Sequence, residues 1–441
     1  MRDYLTILGA GLAGSEAAWQ AAERGVSVVL YEMRPVKPTP AHKTDHCAEL
    51  VCSNSLGNNQ SPSAPYLLKE ELRKFNSLVI DAGDTHAVPA GAALAVDREL
   101  FSKKITEQLL KHPNITLIRE EVTEIPSEGP VIVATGPLTS PRLSESISRL
   151  IGQEYLYFYD AISPIVDANT INYDKTFFAS RYDKGTDDYL NCPLNEGQYY
   201  SLVNELKNGE KVPFKSFEKP IYFEGCMPVE ELAMRGDKTL AFGPLKPVGL
   251  LHPETKEQFY AVVQLRYENK EGTAFNLVGF QTKLTYPEQK RVIRLIPGLE
   301  HAEFFRFGAI HRNTYINAPD VLSCELDLKK NSGIYFAGQI IGVEGYVESA
   351  SMGLLAALSA VKRIKGEVYS TPPVDTALGS LLKYVTETRR QSFQPMNINY
   401  GLFQVQEMKI RNKRERNKKI ELKALNSLSK WMDTIDGELV K

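Results

Sequence analysis

The stretch YLTILGAGLAGSEAAWQAAERGVSVVLYEMR, residues 4–34, decides the fold. A short apolar run, Tyr4–Leu8, ends at Gly9-Ala10-Gly11-Leu12-Ala13-Gly14. An alanine-rich segment to Arg24 then has helical spacing, and a second apolar run follows over Val26–Tyr31. Strand, glycine turn, helix and strand make one βαβ unit, and G-x-G-x-x-G in that position is a dinucleotide-binding fingerprint. The first glycine turns the chain sharply, the second lets the backbone approach a pyrophosphate, and the third packs helix on strand. The helix start around Leu12 and Ala13 offers N–H groups and a positive dipole end. Glu32 closes the second strand, where a carboxylate accepts hydrogen bonds from ribose hydroxyls and disfavours the 2′-phosphate of NADP. A glycine turn without a ligand is the alternative, and the strand, helix, second strand and acid together argue against it.

Outward from this unit, Val131-Ile132-Val133-Ala134-Thr135-Gly136 reads as another buried strand entering a glycine turn, the kind a parallel sheet adds beside the first. The pattern returns at Ile334–Ala337, followed by Gly338, Gln339, Gly342 and Gly345 and a long small-residue helix. The turns at Thr135-Gly136 and Gly338-Gln339 resemble the flavin-associated turns of flavoproteins with two dinucleotide folds, which favours FAD over NAD. Between the two halves, from about Tyr157 to Ser323, aromatics, prolines and short alternating runs such as Gln258–Leu265 predict a β-rich insertion. The expected fold class is therefore α/β, a Rossmann-like FAD-binding domain with an inserted α+β domain. Its expected parts are 1–157, the insertion 158–323, and 324–441 with a helical tail. Leu67–Asn76 and Phe101–Leu110 read as amphipathic helices.

A chain of 441 residues suits two or three domains and the burial of a large cofactor. With 52 basic and 54 acidic side chains the net charge is −2, so no global field recruits nucleic acid and any RNA contact needs a local patch. The chain runs from Met1 almost directly into a strand, and no apolar run of about 18 residues follows, so a cytoplasmic location without membrane contact is expected. The five cysteines (Cys47, Cys52, Cys192, Cys226 and Cys324) lack CxxC spacing, which argues against a disulfide framework and a metal site.

Two of these thiols stand in unusual company. Cys52 lies between Glu49-Leu50-Val51 and Ser53-Asn54-Ser55, among polar groups able to solvate a thiolate. Cys226 sits in Gly225-Cys226-Met227-Pro228, a shaped turn. Both contexts suit an activated nucleophile, and both also suit a small structural hydrophobe.

At these residues the chain resembles the folate- and FAD-dependent tRNA (uracil-5-)-methyltransferase family. The stretches that carry the resemblance include AELVCSNSLG, LAVDRELFS, VIVATGPLTS, FEGCMPVEELA, FGPLKPVGL, HRNTYINAP, FAGQIIGVEGYVESASMGL and FQPMNINYGL, besides the N-terminal unit. They run in order through nearly the whole chain. One departure is Ala92 in Gly91-Ala92-Ala93-Leu94, where the family commonly has a second glycine. The added methyl puts only a close backbone approach in doubt. Beyond about residue 405 little of the resemblance remains.

The resemblance implies transfer of a one-carbon unit from 5,10-methylenetetrahydrofolate to C5 of uridine 54 in the tRNA T-loop. FAD acts as carrier and reductant, and NADH or NADPH recharges it. Its two cysteines fall on Cys52 and Cys226, one to attack C6 and the other to remove the C5 proton or support the adduct; the sequence leaves both orders open, and the reading leans to Cys52 as the nucleophile. The expected partners are the T-arm of tRNA, folate and a nicotinamide nucleotide, without a stable protein partner. Tyr346 is expected to stack on a flavin or pterin face or to fill space beside the glycine turn. Arg98 and Arg312 suit forked binding of folate carboxylate or RNA phosphate, or structural ion pairs. Lys409–Lys419 holds seven basic residues in eleven positions, a phosphate-gripping face or a solvated helix. The same chemistry on a ribosomal RNA uridine, and a non-catalytic flavin-binding RNA maturation factor, are the alternatives.

Overall fold

The computed structural model describes residues 4–39, 41–127, 129–153, 155–183, 186–213, 222, 227–388, 393–404 and 410–437. The N-terminal unit folds as its spacing requires, with strands Tyr4–Leu8 and Ser27–Glu32 in parallel around the helix Leu12–Glu23. Five parallel strands lie in the order 331–336, 131–133, 4–8, 27–32 and 115–119, and the short antiparallel strand Asp327–Leu328 closes one edge. Val131, Ile132 and Val133 are fully buried, as the apolar run in a sheet covered on both faces demands. Strand 331–336 pairs with 131–133, so the chain leaves this sheet and returns to it.

Small side chains set how closely the helices approach. The helix Tyr346–Lys365 packs on Leu12–Glu23 so closely that a Cβ on Gly353 would lie 2.1 Å from the Ala13 carbonyl oxygen. Ala350, Ala356, Ala357 and Ala360 of one helix and Ala17, Ala18 and Ala21 of the other are buried in one continuous core. Helices Ala64–Lys74 and Arg98–Lys111 stand where amphipathic spacing places them. Each starts three residues before the expected apolar pattern, because capping side chains, Ser63 and Asp97, define the true N-termini.

The insertion builds its own core. Six antiparallel strands in the order 177–178, 189–194, 261–267, 274–277, 165–167 and 304–306 carry the helices Glu196–Asn208 and Tyr286–Ile293. The buried residues from Val166 to Phe280 and on to Ala302 form a cluster separate from the first. A two-stranded antiparallel ribbon, Leu156–Ala161 with Ile310–Tyr315, joins the two bodies. The return comes earlier than residue 324, since Tyr315, Ile316, Ala318 and Leu322 already pack in the first core. Composition could not reveal this, because an apolar segment reads alike on either side of a junction. Among the described residues, no helix is long and apolar enough to cross a membrane, and no cluster of His, Cys, Asp and Glu is arranged to hold a metal ion.

Candidate active site

The turn after the first strand is shaped by backbone contacts. Gly9 has φ +95, and a Cβ there would lie 2.7 Å from the Ala134 carbonyl oxygen. A Cβ on Gly14 would lie 1.8 Å from the carbonyl oxygen of Gly9, which is the close packing of helix on strand that the fingerprint requires. Gly11 meets nothing within 4 Å and opens onto a cleft. Gly9, Gly11, Leu12 and Ala13 line it at the helix N-terminus, Thr135, Gly136, Gly338 and Gln339 at the two later turns, and Tyr346 at the far end.

Glu32 reaches the same cleft already engaged. Its Oε2 accepts from the Ala10 N–H at 3.0 Å, and its Oε1 accepts from Arg34 Nε at 2.9 Å and Arg34 N at 3.1 Å. Burial opposes the charge, but Arg34 outweighs it and holds the Glu32 carboxyl below its usual range. A carboxylate has about four acceptor positions, so this one retains capacity for a ribose hydroxyl. An open glycine, a helix N-terminus and a buried carboxylate around an elongated cleft fit FAD.

His42 also lines this cleft and is a titratable group. Burial first, and then the Arg34 guanidinium, lower its pKa to about 4. Because an unfolded histidine takes its proton near pH 6.5, the folded chain binds fewer protons between about pH 6.5 and 4, and stability falls as pH is lowered through that window. The loss is expected to be on the order of 2 kcal/mol, allowing for the ring's partial exposure. Melting curves of the flavin-loaded protein from neutral to acid pH check this, with His42→Gln expected to flatten the slope.

A second cavity meets the first through Val51, Pro137, Leu138, Gln339 and Tyr346. Cys52 lies in its wall, half-buried, with its thiol 3.8 Å from the Ala161 carbonyl oxygen. The Tyr346 hydroxyl accepts from the N–H groups of Cys52 at 2.8 Å and Ser53 at 3.2 Å. Its ring stands between the two cavities and its oxygen ties down the thiol loop. Asp160, Glu344 and Glu348 also line this space. Burial, and then the Asp160 charge, hold the Glu344 carboxyl well above the usual range, while Gln339 donates to its Oε2 at 2.9 Å.

The sequence profile of a family described as Glucose inhibited division protein A matches residues 4–368. A protein named methylenetetrahydrofolate-tRNA-(uracil-5-)-methyltransferase TrmFO from Natranaerobius thermophilus is 57% identical over 97% of this chain and 99% of its own length. The proteins of the same name from Heliobacterium modesticaldum and Bacillus subtilis are 56% and 53% identical over 97% and 98% of this chain, and 98% and 99% of theirs. The chain belongs to the methylenetetrahydrofolate-tRNA-(uracil-5-)-methyltransferase family. Its fold is also that of the Aquifex aeolicus GidA structures in two crystal forms, with TM-scores of 0.71 and 0.72 at 17% and 18% identity. These alignments cover 98% of this chain and 73% and 76% of those chains.

Within this family member the structure gathers most of the expected site residues, but not all. Ala10 and Gly14 do not line the cleft. Gly342 lines neither cavity: its φ is +84 and a Cβ there would strike the Phe393 ring at 2.3 Å, so its task is local packing. Gly345 lines the second cavity beside Glu348. Cys226 and Lys409 lie outside the described residues. Arg411, Lys413, Arg414, Arg416, Lys418 and Lys419 are all exposed, at and before the start of the helix Lys413–Gly437. Cys47 and Cys192 are buried and Cys324 is exposed, and none of the three lines either cavity.

The two arginines part company. Arg312 is exposed with its guanidinium 4.3 Å from the centre of the Tyr157 ring. Its neighbours His311 and Asn313 line the second cavity instead. The strand Ile310–Tyr315 alternates faces, so one residue on each side of Arg312 points in when Arg312 points out. That alternation was the available signal for His311 and Asn313. Arg34, Thr39 and Glu49 in the first cleft had a weaker one, their place in the long loop after Glu32. Asp160, on the paired ribbon strand, had none.

Proposed function

We propose that this chain transfers a one-carbon unit from 5,10-methylenetetrahydrofolate to C5 of uridine 54 in tRNA, with NADH or NADPH supplying the two electrons that take a methylene to a methyl. The observation that carries the reading is the junction of the two cavities, which puts the Cys52 thiol one side chain, Tyr346, away from the dinucleotide cleft. The curated relatives' names supply the donor and the RNA class.

Uracil C5 is a poor nucleophile in an intact ring. Addition of the Cys52 sulfur at C6 makes C5 enolate-like and able to attack an electrophilic carbon. Loss of the C5 proton together with release of the carrier's nitrogen from the transferred carbon would leave an exocyclic methylene on the ring, and hydride addition to that methylene with departure of the sulfur restores the ring as 5-methyluracil, with Cys226 assigned to assist at C5. Gly11, the N–H groups around Leu12 and Ala13, and Glu32 would hold FAD by its pyrophosphate and ribose. FAD, when bound, supplies both carriage of the carbon and hydride-level reduction. A pyrimidine face stacks readily on Tyr346, and His311 and Asn313 offer polar contacts to substrate. The exposed basic residues 411–419 are assigned to tRNA phosphates outside the cavity.

The test is an anaerobic reaction of the purified protein with methylenetetrahydrofolate and NADH, offered unmodified tRNA transcript and, in parallel, unmodified ribosomal RNA. It is run beside a reaction with S-adenosylmethionine as sole donor, and the modified position is mapped. The expected product is 5-methyluridine at position 54 with the folate donor only. Product with S-adenosylmethionine alone overturns the donor assignment, and modification of ribosomal RNA in place of tRNA overturns the target.

A further inference from the structure

The two arginines that the sequence offers as anion receptors are engaged elsewhere. Arg312 lies over the Tyr157 ring. Arg98 pairs through Nε with Glu268, and it donates through Nη1 to the Leu50 carbonyl and through Nη2 to the Cys52 carbonyl at 3.3 Å. With all three nitrogens committed, Arg98 is not open to a substrate anion.

Arg306, which sequence reasoning did not single out, is placed differently. It ends the edge strand Phe304–Arg306 of the insertion, where the register slips: Phe304 pairs with Val166, Arg306 with Ile165, and Phe305 is the extra residue. A bulge of this kind re-aims a side chain. Phe305 is 61% exposed, while Arg306 is half-buried and reaches across to the first body, where its Nη2 donates to the Ala41 carbonyl at 3.4 Å. Ala41 lines the second cavity and His42 the dinucleotide cleft. That long contact is the one hydrogen bond Arg306 makes among the described residues, and it forms no ion pair with them.

The surrounding charges leave Arg306 unbalanced. Burial, and then the Arg98 charge, lower its pKa, yet a guanidinium stays charged at neutral pH. Glu268, the carboxylate that acts on it most strongly, is already the partner of Arg98. His311, lowered by burial and then by the Arg306 charge, is neutral at pH 7 and offers no counter-charge. A guanidinium with nitrogens in reserve and no counter-ion is a forked receptor for a phosphate or carboxylate. Arg306 also lies close enough to Tyr346 and Cys52, where the cavities join, for their charged forms to act on it. A uridine whose base enters there brings phosphates one sugar away from the ring, whereas the carboxylates of folate sit at the end farthest from its pterin.

We propose that Arg306 binds a backbone phosphate flanking the target uridine and so holds the nucleotide whose base enters the second cavity. This rests on the reading that the cavity takes uracil.

The test measures equilibrium binding of flavin-loaded parent, Arg306→Gln and Arg306→Lys to unmodified tRNA transcript, without folate, over a range of salt. Arg306→Gln is expected to raise Kd about tenfold and to flatten the slope of log K against log salt by roughly one. Arg306→Lys keeps the charge and loses the fork, so its Kd is expected to rise about threefold with the slope retained. The Kd for methylenetetrahydrofolate and the rate of flavin reduction by NADH are expected to stay within about twofold of the parent. A synthetic T-arm hairpin with a neutral methylphosphonate on one or the other side of the target uridine gives a readout that does not depend on a variant folding. The parent is expected to bind one of the two about tenfold more weakly, and Arg306→Gln to lose nothing further at that position. Unchanged tRNA affinity and salt slope in flavin-loaded Arg306→Gln, no loss by the parent at either methylphosphonate, or a rise in Kd confined to methylenetetrahydrofolate or NADH overturns the proposal. A parent protein that does not methylate tRNA fails the proposed function, while the binding comparisons still judge Arg306.

Discussion

Methylation is expected to fall by at least about 10³-fold when Cys52 is replaced by alanine, because without sulfur addition at C6 the ring offers no enolate at C5. The variant is expected to keep its flavin and its melting temperature. Cys52 is half-buried, its sulfur makes only a 3.8 Å contact to the Ala161 carbonyl, and the bonds that hold its loop run through backbone groups that alanine retains. Cys52→Ser keeps the polarity and loses the soft nucleophile, so it is expected to be nearly as inactive. Single-turnover methylation of tRNA transcript by the two variants, beside their flavin spectra, measures this. Activity within tenfold of the parent in flavin-loaded Cys52→Ala rejects the nucleophile assignment.

The second large effect is expected at Gly14. A methyl there meets the Gly9 carbonyl oxygen at 1.8 Å and the Gly9 carbonyl carbon at 3.0 Å, and both atoms are main chain, so no rotamer change relieves the clash. Helix and strand must separate, which moves the Leu12 and Ala13 N–H groups away from the cleft. Gly14→Ala is expected to cost about 3 kcal/mol, equivalent to roughly two orders of magnitude in FAD affinity. Flavin content after purification and titration of the apoprotein with FAD read it directly. Gly11→Ala makes the useful contrast. Its Cβ meets no protein atom, so that variant is expected to fold normally and to lose affinity only through crowding of the ligand. Equal flavin retention in Gly14→Ala and the parent protein contradicts the packing argument.

Legibility of the site followed the range of the interactions. Glu32 and the turn at Gly9–Gly14 are set by spacing within 24 residues, and their places in the cleft follow from strand and helix geometry alone. Gly342 was misleading because a glycine needed for a positive φ and for the Phe393 ring looks the same in sequence as one that clears room for a ligand. Tyr346 was legible as an aromatic near the turn. That its hydroxyl secures the Cys52 loop depends on a contact across 294 residues. Arg98 was legible as a candidate for a forked contact, and the fork is real, but its partners are Glu268, 170 residues away, and two main-chain carbonyls that no residue type announces.

What the sequence determined by itself was the βαβ unit, the interrupted sheet and the presence of a thiol in polar company. These follow from periodicity and from backbone chemistry that acts over a few residues. Only the tertiary structure decided that the thiol opens onto a cavity joined to the dinucleotide cleft. Only there is it seen that Asp160, His311 and Asn313 line that cavity and that Arg98 bonds both Glu268 of the insertion and the carbonyls of Leu50 and Cys52. The reason is physical: each of these depends on where strands and helices from distant parts of the chain come to rest. A side chain's local sequence records its chemistry but not the oxygen or nitrogen that it meets.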